Sequence, residues 1–140
     1  VSTRTGLAGE FICCAAIMRL EGDWSVVHSP MDRIDAIAFN EDIFLRIQIK
    51  TSSLKPAIAG QHKPFWHFQN GSGNKKKHLP DPSEIDIIAH VFLDHRRVAF
   101  YAAETVSQFS QRRPLHYADT PHLEQDSWDR AVQIVQERIK

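Results

Sequence analysis

Two short segments decide the fold: Ile34-Asp-Ala-Ile-Ala-Phe39 and Ile43-Phe-Leu-Arg-Ile-Gln-Ile-Lys50, separated by Asn40-Glu41-Asp42. Both are rich in Ile, Phe and Ala, and the break between them is polar and tight, so they read as two β-strands joined by a turn. In the second, Ile43, Leu45, Ile47 and Ile49 alternate with Phe44, Arg46, Gln48 and Lys50. A period of two places the aliphatic set on one face and Arg46, Gln48 and Lys50 on the other. Asp35 heads the first strand, within reach of that polar face. An acid, a Gln-x-Lys pair and a sheet to hold them make a candidate metal-and-phosphate site. The competing reading of Gln48 and Lys50 is an ordinary polar sheet face.

Upstream, Thr5 to Leu20 reads as a helix with Thr5 as its N-cap. Leu7, Phe11, Ala15 and Met18 mark an apolar stripe that Ile12, Ala16 and Ile17 widen. Between Gly6 and Met18 the one charged side chain is Glu10. It shares a helical side with Leu7, Cys14 and Ile17, where an unpaired carboxylate is costly to bury. Glu10 is therefore either exposed on a thin polar stripe or placed beside a site. Gly22 ends the helix, Trp24 to Val27 forms a short strand, and His28 to Arg33 a loop.

Downstream, Thr51 to Pro64 is loop-like and Phe65 to Phe68 a strand, with Trp66 and Phe68 as core residues. Gln69 to His78 is a Gly/Asn/Ser surface turn carrying Lys75, Lys76 and Lys77. Asp81 to Glu84 begins a helical turn. Ile85 to Leu93 and Val98 to Ala102 are strands about the turn Asp94 to Arg97. Gln108 to Gln125 is polar and irregular. Ser127 caps a last helix whose apolar positions are Trp128, Ala131, Val132, Val135 and Ile139. The expected architecture is α/β (α+β): a central mixed β-sheet flanked by an N-terminal and a C-terminal helix, in one domain spanning 1–140.

At 140 residues the chain supports one sizeable core. Its 17 basic and 17 acidic residues balance, so a nucleic acid would have to be held by a local patch. No apolar run approaches a membrane span and no secretory pattern opens the chain. Cys13 and Cys14, adjacent in an apolar helix, read as buried small residues, and the expected compartment is cytoplasmic. The eight histidines form no zinc pattern. Neither a nucleophile elbow nor a phosphate-binding glycine loop is present.

The order Gly9-Glu10, Asp35, Gln48-Ile49-Lys50 at a strand end resembles the PD-(D/E)XK nuclease superfamily. The resemblance is nearest to the group I intron-associated homing endonucleases that carry Gln-x-Lys, and more distant to the Holliday-junction resolvases. It covers Thr5 to about Ser53; beyond that only a strand pattern is shared. It implies a restriction-endonuclease-like core and hydrolysis of DNA phosphodiesters with Mg2+, Mn2+ being able to substitute. It further implies Asp35 and Glu10 as metal ligands, with Gln48 and the backbone carbonyl of Ile49 beside them. Lys50 would orient or activate the attacking water and offset transition-state charge. Two departures stand out. Pro30 precedes Asp35 by five residues with Asp32 between them, and Asp35 is preferred because it begins the apolar strand. Gln48 stands where an acid is usual, and it contributes no negative charge. Lys75, Lys76, Lys77 and Arg46 are the expected DNA contacts, with Lys55, Lys63, Arg96-Arg97 and Arg112-Arg113 extending the patch. One such domain cuts one strand, so double-strand cleavage implies a homodimer or higher homo-oligomer. The alternative is a catalytically silent module of the same fold that binds nucleic acid or a protein.

Overall fold

The structure, a computed structural model, describes residues 3–29, 31, 33–73 and 76–140. Helix α1 runs Thr3–Arg19, followed by β1 (Ser25–His28), β2 (Ala36–Phe39), β3 (Phe44–Ser52) and β4 (Phe65–Gln69). Then come β5 (Ile87–Phe92), β6 (Arg97–Ala102), β7 (Ser110–Pro114) and α2 (Leu123–Arg138). Short 3-10 turns occupy Leu93–His95, Ala103–Thr105 and Leu115–Asp119. A five-stranded sheet has the order β1-β2-β3-β5-β6, and β4 pairs with β7 in a separate two-stranded ribbon. All pairings in the larger sheet are antiparallel except β3 with β5, so the fold is α+β with a mixed central sheet and a helix at each end of the chain.

Three layers result. Both helices lie on one face of the sheet, where Cys13, Ile17, Leu45, Ile47, Ala89, Phe100 and Trp128 share one core. The alternation in β3 places its aliphatic residues there. The ribbon covers part of the opposite face, with Trp66, Phe68, Phe92 and Ala99 packed together. β5 is central and covered on both sides, so all six of its residues are buried. Cys13 and Cys14 are free and buried, and burial pushes both thiols up. Among the described residues no helix is long and apolar enough to cross a membrane.

Three expectations need correction. Helix α1 begins at Thr3, two residues before Thr5. The stretch 108–125 is not irregular: it contains β7, a 3-10 turn and the start of α2. β7 reads as polar because its partner β4 supplies the apolar residues of the ribbon, and pairing outweighs local composition. Ser127 caps nothing; it lies within α2, where its Oγ accepts from Phe100 N at 3.0 Å. Glu124 likewise accepts from Val98 N at 3.1 Å. These two side chains satisfy outward N–H groups of the edge strand β6, and the helix start is fixed by that edge.

Candidate functional site

The site begins where a strand loses its neighbour. β2 pairs with β3 only as far as Ile47, and Asp35 N donates to Ile47 O at 2.9 Å as the last rung. β3 then continues to Ser52 with β5 on its other side. Residues alternate in which neighbour their backbone groups face, so Ile49 turns its N–H and C=O toward the gap. An orphaned N–H there would be costly. Asp35 Oδ2 accepts it at 2.7 Å. The Asp35 carbonyl in turn accepts from Ser29 N at 2.9 Å. Asp35 is thus held on both sides of its backbone with its carboxylate at the gap, and the Ile49 carbonyl leaves β3 on that same side.

Glu10 reaches the gap from α1. The helix comes so close to β3 at Gly9 that an added Cβ would overlap the Thr51 side chain. Glycine at this point lets the helix settle one residue before Glu10. The Glu10 carboxylate pairs with His28 Nε2 at 2.6 Å, and the His28 ring sits 5.1 Å from that of Phe11. Gln48 and Lys50 belong to the opposite face of β3, and the open end of the sheet brings the two faces to one hollow. Glu10, Asp35, Gln48, Ile49 and Lys50, together with Arg33, Ser72 and Gly73, line a cleft of about 490 Å³. An adjoining hollow of about 320 Å³ shares Arg33, Gln48 and Ser72 with it and continues past Asp81 and Glu84.

The charges in the cleft are unevenly matched. Burial raises the Asp35 carboxyl above the ordinary aspartate range, the Ile49 N–H partly offsets this, and Glu10 raises it further. Lys50 and His28 act in the opposite sense. Burial lowers the Lys50 amine, with Asp35 supporting its charge and Lys77 opposing it. The register neighbour of Lys50 on β5 is His90. It is fully buried, stacked on Phe68 with ring centroids 4.0 Å apart, and pushed down to about 3 by burial, Arg113 and Lys50. The neutral ring donates from Nε2 to Asn70 Oδ1 at 2.7 Å, since the Asn70 amide nitrogen already donates to Gln108 O. The floor behind Lys50 is therefore polar but uncharged.

Two carboxylates facing one small hollow, with an amide oxygen and a backbone carbonyl beside them, form a hard-oxygen donor set suited to Mg2+. A cation between them would relieve the repulsion that Glu10 adds to the effect of burial at Asp35. Among the described residues no three His, Cys, Asp or Glu side chains group as metal ligands, so such an ion would depend on the neutral oxygens of Gln48 and Ile49 as well.

The structure thus brings Glu10, Asp35, Gln48, Ile49 and Lys50 together. Arg46 is placed differently: its Nε donates to Asp86 Oδ2 at 3.0 Å, Nη2 to Asp86 Oδ1 at 3.1 Å, and Nη1 to Ser83 O at 2.7 Å. Its guanidinium holds β3 to the start of β5. Arg138 of α2 bonds the same Asp86 and also Glu104, tying the C-terminal helix to this corner. Lys76 and Lys77 are exposed on the loop that lines the cleft with Ser72 and Gly73; Lys75, Pro30 and Asp32 lie outside the described residues. Sequence reasoning passed over His28 and Arg33. No local pattern marks His28, because its partner Glu10 is 18 positions away on another element.

The solved structure of a bacterial homing endonuclease, I-Ssp6803I, matches 99% of this chain and 95% of its own, with a TM-score of 0.66 at 12% sequence identity. At that identity the likeness is one of fold. No family model matches the sequence, and no curated protein does.

Proposed function

We propose that the chain is a metal-dependent DNA endonuclease of the PD-(D/E)XK type. The observation that carries this reading is the convergence of Glu10, Asp35, Gln48 and Lys50, from a helix, a strand entry and a strand end, on one cleft. Opposite placement of Glu10 and Asp35 across the sheet would have removed the basis for it. The fold shared with a homing endonuclease supports the same reading.

In this proposal Asp35, Glu10, Gln48 Oε1 and the Ile49 carbonyl would hold Mg2+, with Mn2+ able to replace it. Such an ion would supply positive charge beside a phosphate and acidify water. Asp35 is fixed by Ile49 N–H at the lining of the hollow. His28 holds Glu10 toward the same point. Lys50, lowered by burial but supported by Asp35, orients the attacking water and offsets charge growing on the phosphate oxygens. Each chain carries one candidate site and cuts one strand, so a double-strand break requires a homodimer or higher assembly.

A second reading has its own observation. With Gln48 in place of an acid, only Asp35 and Glu10 bring negative charge to the donor set, which suits a silent module that binds nucleic acid or a protein. Incubation with supercoiled plasmid and Mg2+ or Mn2+ separates the two. Nicking by the wild type, lost in Asp35→Ala and Lys50→Ala, is expected. Binding without cutting of plasmid, branched or single-stranded DNA would leave the silent module standing.

A further inference from the structure

The charge of this chain balances overall but not locally. From Thr51 to Pro80 there are five lysines and no Asp or Glu, and Thr105 to Ala118 holds Arg112 and Arg113 and again no acid. These two acid-free segments are the ones that pair as β4 and β7. The ribbon has two unlike faces. Trp66 and Phe68 turn inward and are fully buried, with Arg113 facing inward over the Tyr117 ring at 4.4 Å. The outward rows are Phe65, His67 and Gln69 on β4 against Pro114, Arg112 and Ser110 on β7. Lys55 joins this face by exchanging two backbone bonds with Phe65, at 2.8 and 3.1 Å.

Two polar side chains on this face, Arg112 and Gln69, stand unengaged by hydrogen bonds. Arg112 lies over the Phe65 ring at 4.3 Å, a cation–π contact across the two strands. Among the described residues neither Arg112 nor Gln69 makes a side-chain hydrogen bond or ion pair, and both are exposed. His67 is bonded to Ser110, so it forms a fixed step between them. Burial lowers the His67 imidazole below its ordinary value, and Arg112 and Lys55 beside it act in the same sense.

We infer that the outer face of the β4–β7 ribbon enters the major groove of duplex DNA, where Arg112 and Gln69 read base edges while Lys55 and Lys63 hold phosphates. Two strands about 4.8 Å apart fit a groove about 12 Å wide. Arginine pairs bidentately with guanine, and glutamine with adenine. The ribbon is also joined to the cleft. Ser52 Oγ, two residues beyond Lys50 on β3, accepts from His67 N at 3.0 Å. At its other end, Gln69 leads through Asn70 to Ser72 and Gly73 on the cleft wall. In this inference one duplex lies across both.

This inference rests on the endonuclease reading for its choice of DNA, but its test does not require cutting. Binding is selected from a pool of random-sequence duplexes in EDTA, with wild type, Arg112→Ala, Arg112→Lys, Gln69→Ala and the pair Lys55→Ala/Lys63→Ala. The wild type is expected to enrich a defined sequence. Arg112→Ala and Gln69→Ala should each relax it at one or two positions, by roughly 5–150-fold in discrimination. Arg112→Lys should relax the same position while keeping the salt dependence, because charge survives and the fork does not. The lysine pair should weaken all sequences alike and flatten the log–log salt slope by about 2. Enrichment of no sequence, the same sequence in every variant, or binding confined to RNA or single strands would overturn the inference. Motif selection without nicking, in Mg2+, of a plasmid that carries the selected motif would sink the nuclease reading and leave the ribbon standing; nicking without motif selection would do the reverse.

Discussion

Asp35 carries the conflict on which the site depends. Its carboxylate is half-buried, faces Glu10, and has its pKa raised by both, so the fold favours its protonated form. The stability it contributes is present in full below the unfolded pKa of about 3.9 and declines as pH rises through the higher folded value. Asp35→Asn keeps an acceptor for Ile49 N–H and removes the charge. In metal-free buffer at pH 7 the variant should melt at a higher temperature than wild type, and the two should converge near pH 3. Cutting should fall by more than the roughly 10–100-fold typical of losing an outer partner of a metal ligand. Melts across pH, set beside plasmid nicking, test both; a variant less stable than wild type at pH 7 contradicts the account. This residue was legible in the sequence because an acid stood at the head of an apolar strand. His28 was not, since a lone histidine at a strand end gains meaning only when α1 is laid beside β1.

Among elements, the placement of α1 against β3 matters most, and it turns on Gly9. A methyl at that position overlaps the Thr51 side chain, so Gly9→Ala must push the helix outward and carry Glu10 with it. Overpacking of this kind costs about 1–3 kcal/mol, even though alanine is the better helix former by about 1 kcal/mol. Urea unfolding should show Gly9→Ala destabilised, with Gly9→Ala/Thr51→Ala recovering most of the loss. An additive double mutant would remove the close approach as the cause. The strands and helices with strong periodicity, β2, β3 and α2, could be recognised from residues alone. β7 could not: Ser-Gln-Arg-Arg-Pro has no apolar face of its own and becomes a strand only through Trp66 and Phe68 opposite. The start of α2 was misplaced for a similar reason, because Glu124 and Ser127 answer to the N–H groups of β6.

For the whole molecule, the proposed binding of a divalent ion would be linked to folding. An ion that binds only the native cleft stabilises it by about 1.4 kcal/mol at ten times its dissociation constant, equivalent to roughly 3–6 °C in melting temperature for a chain of this size. Wild type should show that rise with Mg2+ and a similar one with Mn2+. Asp35→Asn should show little of either. An equal rise in both proteins would point to weak binding elsewhere on the surface. The fold as a whole was readable, since helix, strands and helix follow in an order that one mixed sheet satisfies. The segregation of acids away from residues 51–80 and 105–118 was also in the sequence. It acquires meaning only once those two segments are seen to lie side by side.

The bond from His67 N to Ser52 Oγ gives the molecule a ruler. Lys50 and Ser52 are two residues apart on a rigid strand, about 6.6 Å, close to two base steps along one DNA strand at 3.4 Å each. At this point the cleft strand and the ribbon are joined by a direct hydrogen bond. On the proposed roles of ribbon and cleft, the distance from the bases read to the bond cut should be the same number of nucleotides on every substrate.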